Sequence, residues 1–302
     1  MALKDIKAKI GATKRMNTVT RAMEAVSAAK MRKTQEAAFR GRAYARAALS
    51  ILARLSGSAS VQSHPLTQAR EVKRTALVVI TSDRGLAGAL NSGVTRAAHA
   101  AIASRPQESV SVFAYGRKGE EFFKNRGFRI ARAIENRQDQ VELSNMETLS
   151  KELSDGFLAG DYDEVIAVYS DFRSTFEQLP TVRTLLPLSL ENISPIVEHI
   201  RPARGKWSNE PVLESPAAYN IEPSAEEVIS LLIPRLTAVT LYFMLLEAKA
   251  SEHSARMVAM KNASDKSKER TRDFTRLYNK LRQAAITREV SEIVGGREAL
   301  AT

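Results

Sequence analysis

The two ends of the chain are long stretches without proline, and this feature limits the possible folds more than any other. No proline occurs between residues 3 and 55 or between residues 235 and 294, while Ala, Lys, Arg, Met and Glu are abundant in both stretches. These residue types favour helix. Sixty helical residues at about 1.5 Å each measure roughly 90 Å, which is longer than a domain of this size. We therefore expect two long helices that project beyond a globular part.

The apolar residues of the first helix recur at steps of three and four. A narrow stripe of this kind indicates one partner helix rather than a broad core. We expect the two terminal helices to pair antiparallel, each burying its stripe against the other, with the polar stretch 261–273 facing water or a polar partner. The stripe of the first helix consists of Leu3, Ile6, Ile10, Met16, Val19, Met23 and Val26.

Short apolar runs alternate with helix-like segments in the middle of the chain. Strands are expected at 75–81, 110–115, 128–134 and 164–169, with a fifth within 182–188, and helices near 88–104, 117–126 and 145–159. This alternation predicts an α/β domain with a mostly parallel, Rossmann-like sheet. The fold class is therefore α/β, combined with a long antiparallel coiled coil formed by the N- and C-terminal helices.

These patterns divide the chain into four expected parts. An N-terminal shaft helix occupies 1–55, a linker 56–74, a central α/β domain 75–223, and a C-terminal shaft helix 224–302. The domain ends in a loop-rich stretch from residue 194. Ser224 and Glu227 form a capping-box pattern at the start of the last helix, and Pro234 predicts a kink or the start of a second helix.

Composition excludes several kinds of site. The chain has no cysteine, so disulfides, thiolate metal sites and cysteine nucleophiles are excluded. Its four histidines, His64, His99, His199 and His253, lack metal-ligand spacing, and no metal or cofactor is expected. Asp161, Asp163 and Glu164 form an acidic cluster, which is a candidate cation site. We interpret this cluster as a solvated loop instead, because a full set of oxygen ligands is missing.

The basic residues are concentrated at the two ends. The net charge is +11, and residues 1–54 hold 13 basic and 3 acidic side chains, while residues 249–297 hold 12 basic and 6 acidic ones. Nucleic acid is one possible partner. Only four aromatic residues lie in these segments, however, so an acidic protein surrounding the paired helices explains the distribution better. A nucleic-acid-binding coiled coil stays open as an alternative.

The sequence SDRGLAGALN at residues 82–91 follows the first predicted strand and opens a helix. Backbone N–H groups at such a turn can bind phosphate, which keeps a nucleotide-dependent α/β enzyme open as a second alternative. The third glycine of the dinucleotide pattern is missing, and no Gly-Lys-Ser/Thr follows. We therefore interpret Asp83, Arg84, Gly85 and Gly88 as a structural turn, with Gly85 as the candidate for a left-handed conformation.

Long motifs in order along the whole chain resemble the gamma subunit of F-type ATP synthases. The match is specific because the motifs are long and correctly placed from end to end. They are KDIKAKI (4–10), TRAMEAV (20–26), KMRK (30–33), SDRGL (82–86), SEHSARMVAMKNA (251–263) and YNKLRQAAITREVSEIVGG (278–296).

The resemblance implies a non-catalytic rotor of the central stalk. A single copy would stand inside the hexameric ring of alpha and beta subunits, with its α/β domain on the c-subunit ring beside epsilon. It would couple transmembrane proton or sodium flow to ATP synthesis or hydrolysis in beta and regulate ATPase activity. A peripheral position without a transmembrane segment, on the cytoplasmic face of a bacterial inner membrane, is expected, and no nucleic acid is expected.

The resemblance also implies roles for particular residues. Met23 would lie near the acidic lever loops of beta, although a methionine on an apolar stripe is ordinarily core. Polar residues of the last helix would contact beta or transmit torque, because guanidinium and amide groups form directional bonds to carboxylates. These residues are Arg256, Arg282, Gln283, Thr287 and Glu289.

The sequence departs from the common family pattern at Ala87 and Ala89, where cysteine and glycine are frequent. Both replacements are small residues at a tight turn and leave the resemblance intact. No cysteine-bearing regulatory insert of the chloroplast type is present. Because the first motif begins at Lys4, the basic N-terminal stretch is interpreted as the shaft itself rather than a cleavable leader.

Overall fold

The computed structural model describes residues 3–55, 64–138, 141–189 and 224–301. Five α-helices and five strands are found in these ranges. In chain order they are α1 (Leu3–Leu55), β1 (Thr75–Ile80), α2 (Leu90–Ala101), β2 (Val110–Tyr115), α3 (Arg117–Lys124), β3 (Arg129–Ile134), α4 (Leu143–Leu158), β4 (Glu164–Phe172), β5 (Gln178–Leu186) and α5 (Ala225–Ala301).

The terminal helices α1 and α5 contain 53 and 77 residues, which confirms that both ends of the chain are helical. Pro234 lies inside α5, so no second helix begins there. The hydroxyl oxygen of Ser224 accepts a hydrogen bond of 3.2 Å from the backbone N–H of Glu227. This bond is the one expected of a capping box, and it marks the start of α5.

The sheet has the strand order β3-β2-β1-β4-β5. Strands β1 to β4 are parallel, which confirms the expected mostly parallel sheet. Strand β5 runs antiparallel to β4 at the edge of the sheet and begins at Gln178, earlier than expected. A short turn joins β4 to β5, and a two-strand hairpin of this kind is necessarily antiparallel.

Helices cover both faces of the sheet, so the central strand β1 is buried along its whole length. Alternate residues of β1 point to opposite faces, because the side-chain period of a strand is two. Ala76 and Val78 join a core with α4 and α5, against which Ala37 and Ala38 of α1 also pack. Leu77 joins a second core with α2 and α3 on the other face.

The chain forms two compact units, which cut across both long helices. One unit contains residues 28–256 and therefore the sheet with the adjoining parts of α1 and α5. The other contains residues 1–27 and 257–302 and is built from the outer parts of the same two helices. The four-part division at residues 55, 74 and 223 stays a prediction. Residues 56–63 of the predicted linker and the predicted loop 194–223 lie outside the described residues.

In the smaller unit, α1 and α5 run antiparallel. The side-chain amide of Asn17 donates hydrogen bonds to the carbonyl oxygen of Ser264, at 2.7 Å, and to its hydroxyl oxygen, at 3.0 Å. About one turn earlier in α1 and two turns later in α5, the hydroxyl groups of Thr13 and Thr271 are 3.0 Å apart. As the residue number falls along α1 it rises along α5, which is the order of an antiparallel pair.

Only part of the apolar stripe predicted on α1 is buried in the helix pair. Ile6 is fully buried, but Met16, Val19 and Val26 are between 54% and 57% exposed. Small polar residues spaced by seven from Ile6 lie inward instead, and among them Thr20 and Ser27 are buried. A period of seven matches two helical turns, so this set, rather than the Met16 set, stays on the side of the partner helix.

One stretch of the described residues, Leu231–Val294, is long and apolar enough by length and composition to cross a bilayer, with a window of mean hydropathy 1.5. A core helix meets the same criterion, and 72% of that window is buried inside the protein. Side chains of α5 such as Leu241, Phe243 and Leu245 belong to the larger core. We therefore interpret this stretch as a core helix.

Candidate functional site

The loop after β1 is organised by the carboxylate of Asp83, which is only 7% exposed. Its Oδ1 accepts a hydrogen bond from the backbone N–H of Arg117 at 2.8 Å, and its Oδ2 accepts one from the backbone N–H of Asn136 at 2.9 Å. Arg117 follows β2 and Asn136 follows β3. Asp83 therefore ties the carboxyl ends of three neighbouring strands together, which fits the structural role predicted for it.

Left-handed backbone occurs in this loop at Leu86 and Gly88, with φ angles of 64° and 57°. Gly85 is not among the residues with positive φ, so the expectation that Gly85 supplies the left-handed turn was wrong. A β-carbon on Gly85 would meet nothing within 4 Å. Leu86 is exposed, and it takes up the strained conformation that the sequence suggested for its glycine neighbour.

Gly116, at the end of β2, is the glycine with the strictest steric requirement at this edge. Its φ angle is 107°, and a β-carbon there would overlap the backbone carbonyl of Thr81. The hydroxyl oxygen of Thr81 also accepts a hydrogen bond from the N–H of Gly119, at 2.8 Å. Strands β1 and β2 therefore end in close backbone contact that only glycine permits.

Helix α5 is fixed to the carboxyl edge of the sheet by four side chains. Lys249 Nζ donates to the carbonyl oxygen of Asn136 at 2.7 Å, and the Ser251 hydroxyl donates to the carbonyl oxygen of Ser170 at 3.1 Å. Ser254 Oγ donates to the carbonyl oxygen of Thr175 at 2.7 Å, and Arg256 Nη2 donates to that of Gly85 at 3.3 Å. One acceptor lies in β4, and the other three lie in the loops that follow β1, β3 and β4. We call this region of α5, residues 247–256, together with these loops, the joint.

The joint occupies the place where open α/β sheets ordinarily bind ligands. In this sheet the strand order changes direction between β1 and β4, and such a switch point forms a crevice at the carboxyl ends of the strands. Here Ser251 of α5 bonds to the end of β4, and Arg256 bonds to the loop after β1. Side chains of α5 thus lie at the crevice where a nucleotide would bind, which favours a structural use of this edge over the enzyme alternative.

The acidic cluster before β4 is engaged by cations and backbone donors. Asp163 accepts hydrogen bonds from the backbone N–H groups of Lys73 and Arg74, at 3.0 and 2.8 Å, and pairs with Arg70 at 3.2 Å. Glu164 pairs with Arg105 at 2.6 Å. The Asp163 contacts fasten the start of β4 to the chain that leads into β1, and the Glu164 pair fastens it to the chain after α2. Both support a structural interpretation of the cluster.

The residues expected to contact a partner differ in exposure. Arg256 lies inside the joint, where it is 9% exposed and forms a 2.7 Å ion pair with Glu252. Met23 is half-buried in the smaller unit. The other four, Arg282, Gln283, Thr287 and Glu289, are exposed on the outer part of α5. Partner contact is therefore open to these four without rearrangement and is restricted for Arg256.

Two exposed apolar stripes were missed as candidate contact surfaces. One consists of Met16, Val19 and Val26 on α1, and the other of Ile286, Val290 and Ile293 on α5, where exposure reaches 71%. Both have helical spacing, and the sequence alone could not separate an inward stripe from an outward one. Contiguous exposed apolar patches are common features of interaction surfaces.

Comparison with known proteins gives one consistent result. The sequence model of the ATP synthase family, described as "ATP synthase", matches residues 2–300. The chain is 41% identical to the ATP synthase gamma chain of Roseiflexus castenholzii over 302 residues, covering 99% of this chain and 98% of that one. It is 36% identical to the ATP synthase gamma chain of Staphylococcus saprophyticus over 301 residues, covering 99% of both.

Solved structures agree on the fold. A chain in the central stalk and c-ring structure of the Tetrahymena thermophila mitochondrial ATP synthase is 26% identical, with a TM-score of 0.60 over 82% of this chain and 99% of that one. A chain of the Euglena gracilis mitochondrial ATP synthase, in rotational state 3, is 17% identical, with a TM-score of 0.65 over 99% of this chain and 94% of that one. At that identity the second similarity concerns the fold alone.

Proposed function

The chain belongs to the ATP synthase gamma-chain family, and on that premise we propose that it is the central-stalk gamma subunit of an F-type ATP synthase. In this role it rotates with the c ring and couples proton or sodium flow to ATP synthesis or hydrolysis in the beta subunits. It is not catalytic itself. The observation that carries the proposal is the full-length similarity to gamma chains, combined with the antiparallel pairing of the outer parts of α1 and α5.

The partners follow from the same premise. One copy associates with the ring of alpha and beta subunits, with epsilon and with the c ring. The Tetrahymena chain it resembles belongs to a structure of central stalk and c ring, which supports this placement. The complex is membrane-associated, and we place this chain on the cytoplasmic face of the bacterial inner membrane as a peripheral subunit that also regulates ATPase activity.

The joint gives a physical basis for torque transmission. A rotor has to transfer force between the sheet and the helix that leaves it. The four hydrogen bonds from α5 reach loops at the ends of β1, β3 and β4, so a force on α5 is distributed over three strands instead of one. The buried Arg256–Glu252 ion pair stiffens the last turn of α5 in this unit.

The exposed surface of the outer helices suits contacts that change during rotation. Arg282, Gln283, Thr287 and Glu289 are exposed. The first three can donate hydrogen bonds to carboxylates and Glu289 can accept them from donors, and none of these bonds leaves a buried charge behind when it breaks. Met23 is half-buried and lies beside Val19 and Val26 of the exposed apolar stripe of α1. We assign these side chains to the surface that meets beta.

A direct test isolates a tagged copy of the chain from mildly solubilised membranes and assays ATPase activity of the alpha–beta assembly with and without it. We expect alpha, beta, epsilon and c subunits to be recovered, and ATP hydrolysis to depend on the chain. A chain that binds nucleotide by itself, or that binds nucleic acid in a salt-sensitive way and none of these subunits, would overturn the proposal.

A further inference from the structure

Two carboxyl groups meet beneath α5 in the interior of the larger unit. Glu247 on α5 and Asp171 near the end of β4 are 8% and 2% exposed. The Asp171 side chain lies in hydrogen-bonding contact with the Glu247 carboxyl. Among the described residues, Oε2 of Glu247 has no hydrogen-bond partner. If both groups were ionised, both would be acceptors, and the contact between them would lack a proton.

The surroundings offer little compensation for two negative charges. Arg173, in the turn after β4, pairs with Asp171 at 2.8 Å, which assigns that cation to Asp171. Tyr169 of β4 is hydrogen-bonded to the Glu247 carboxyl, and Arg183 of β5 acts on it electrostatically. The parts of α1 and α4 that pack on the same core contribute apolar side chains such as Ala37, Ala38 and Leu153. Glu247 therefore has no close ion pair of its own in the described part of the chain.

We propose that Glu247 is uncharged in the folded protein, and that its carboxyl proton, donated in a hydrogen bond to Asp171, holds α5 against β4 at the joint. A carboxylic acid can donate one hydrogen bond, whereas a carboxylate only accepts. Protonation of Glu247 thus supplies the missing donor and removes an uncompensated buried charge in one step. Asp171 keeps its pair with Arg173.

The electrostatics of the site agree with this assignment. Burial, followed by the Asp171 charge, raises the pKa of Glu247 well above its usual 4.5. Burial also raises the pKa of Tyr169 well above its usual 10, so the phenol stays protonated beside the pair.

The proposal predicts how folding stability depends on pH. The unfolded chain loses the Glu247 proton near pH 4.5, whereas the folded protein keeps it to higher pH. Between these limits the folded state binds more protons, so the folding equilibrium constant falls as pH rises, by about tenfold for each unit by which the pKa is raised. Glu247 therefore makes the joint sensitive to alkali.

The test compares three full-length chains: wild type, Glu247→Gln and Glu252→Gln. Glutamine at 247 donates to Asp171 without a titrating proton, so in this variant the folding equilibrium constant should no longer fall as pH rises. At mildly alkaline pH that constant should be about tenfold or more above the wild-type value. Glu252→Gln is the matched control, because Glu252 is a buried carboxylate of α5 paired with Arg256. Glu252→Gln should lower stability, but its folding equilibrium constant should still fall as pH rises.

Infrared spectroscopy measures the proton itself. We expect wild-type protein near neutral pH to show the carbonyl band of a protonated carboxylic acid, and expect that band to be absent in Glu247→Gln and present in Glu252→Gln. Asp171→Asn supplies a second test if Glu247→Gln fails to fold, since Glu247 should then titrate at lower pH. A wild-type spectrum without the band, or the same pH dependence in Glu247→Gln as in wild type, would overturn the proposal. Neither measurement depends on the chain being a rotor.

Discussion

The guanidinium group of Arg256 donates one hydrogen bond to the carbonyl oxygen of Gly85, across 3.3 Å, and also pairs with Glu252 at 2.7 Å. The family resemblance suggested partner contact or torque transmission for Arg256, and this residue is buried within its own chain. Its position connects α5 to the loop after β1, which places its first role in the joint.

Replacement of Arg256 by methionine should therefore destabilise the isolated chain. The change leaves Glu252 buried without its cation, and we expect a loss of about 3–5 kcal/mol in the free energy of unfolding. Urea unfolding of the purified chain measures this loss. Arg276→Met, at an exposed position of the same helix, is the matched control and should change stability little. Equal stability of the two variants would show that the joint does not need Arg256.

Asp83→Asn should also be destabilising. An asparagine carbonyl can accept from only one of the two backbone N–H groups, of Arg117 and Asn136, that Asp83 now satisfies through separate oxygens. A buried donor left without a partner costs about 1–3 kcal/mol. Thermal unfolding tests this value, with exposed Asp161→Asn as the control. Wild-type stability of Asp83→Asn would contradict the role assigned to its carboxylate.

Replacement by alanine should reduce stability strongly at Gly116 and hardly at all at Gly85. At Gly116 the new β-carbon overlaps the carbonyl of Thr81 and the φ angle is 107°, so we expect a loss of about 3 kcal/mol or more. At Gly85 the added carbon meets nothing within 4 Å, and the change should be close to neutral. Chemical denaturation of the two variants, side by side, tests whether the turn depends on Gly116 or on Gly85.

The exposed stripe of α1 allows stability and assembly to be separated. Val19→Ser should leave the unfolding of the isolated chain nearly unchanged, because Val19 is 57% exposed, but should weaken recovery of alpha and beta in affinity isolation. Ile6→Ser alters a fully buried position and should reduce stability by about 2–4 kcal/mol. A large stability loss in Val19→Ser would show that Val19 packs between α1 and α5 and is not an exposed contact residue.

The outer part of α5 carries the prediction most specific to the proposed function. Charge reversal at Arg282, combined with Gln283→Ala, should weaken proton-driven ATP synthesis in the assembled complex without destabilising the chain, since both residues are exposed. Arg270→Glu is the control, because residue 270 is exposed and lies on a different side of the helix from both residues. Normal synthesis in the double variant would remove these two residues from torque transmission.

The sequence by itself determined the elements and their class. Proline-free stretches rich in helix-forming residues specified both long helices, and β-branched runs alternating with helical patterns specified the parallel strands. These properties are local, because helix propensity and the period of apolar residues depend on neighbouring positions along the chain. The family is also determined at this level, because its long motifs consist of consecutive residues.

Only the tertiary structure decided which side of each element faces which neighbour. Met16, Val19 and Ile6 belong to one series of apolar residues at helical spacing. The approach of α5 determined that Ile6 is buried, whereas Met16 and Val19 are exposed. Likewise, nothing local distinguishes Arg256 from exposed arginines of α5, or shows that Glu247 meets Asp171, 76 positions earlier in the chain. Burial and charge pairing depend on contacts between residues distant in sequence, and those contacts exist only once the sheet and α5 have come together.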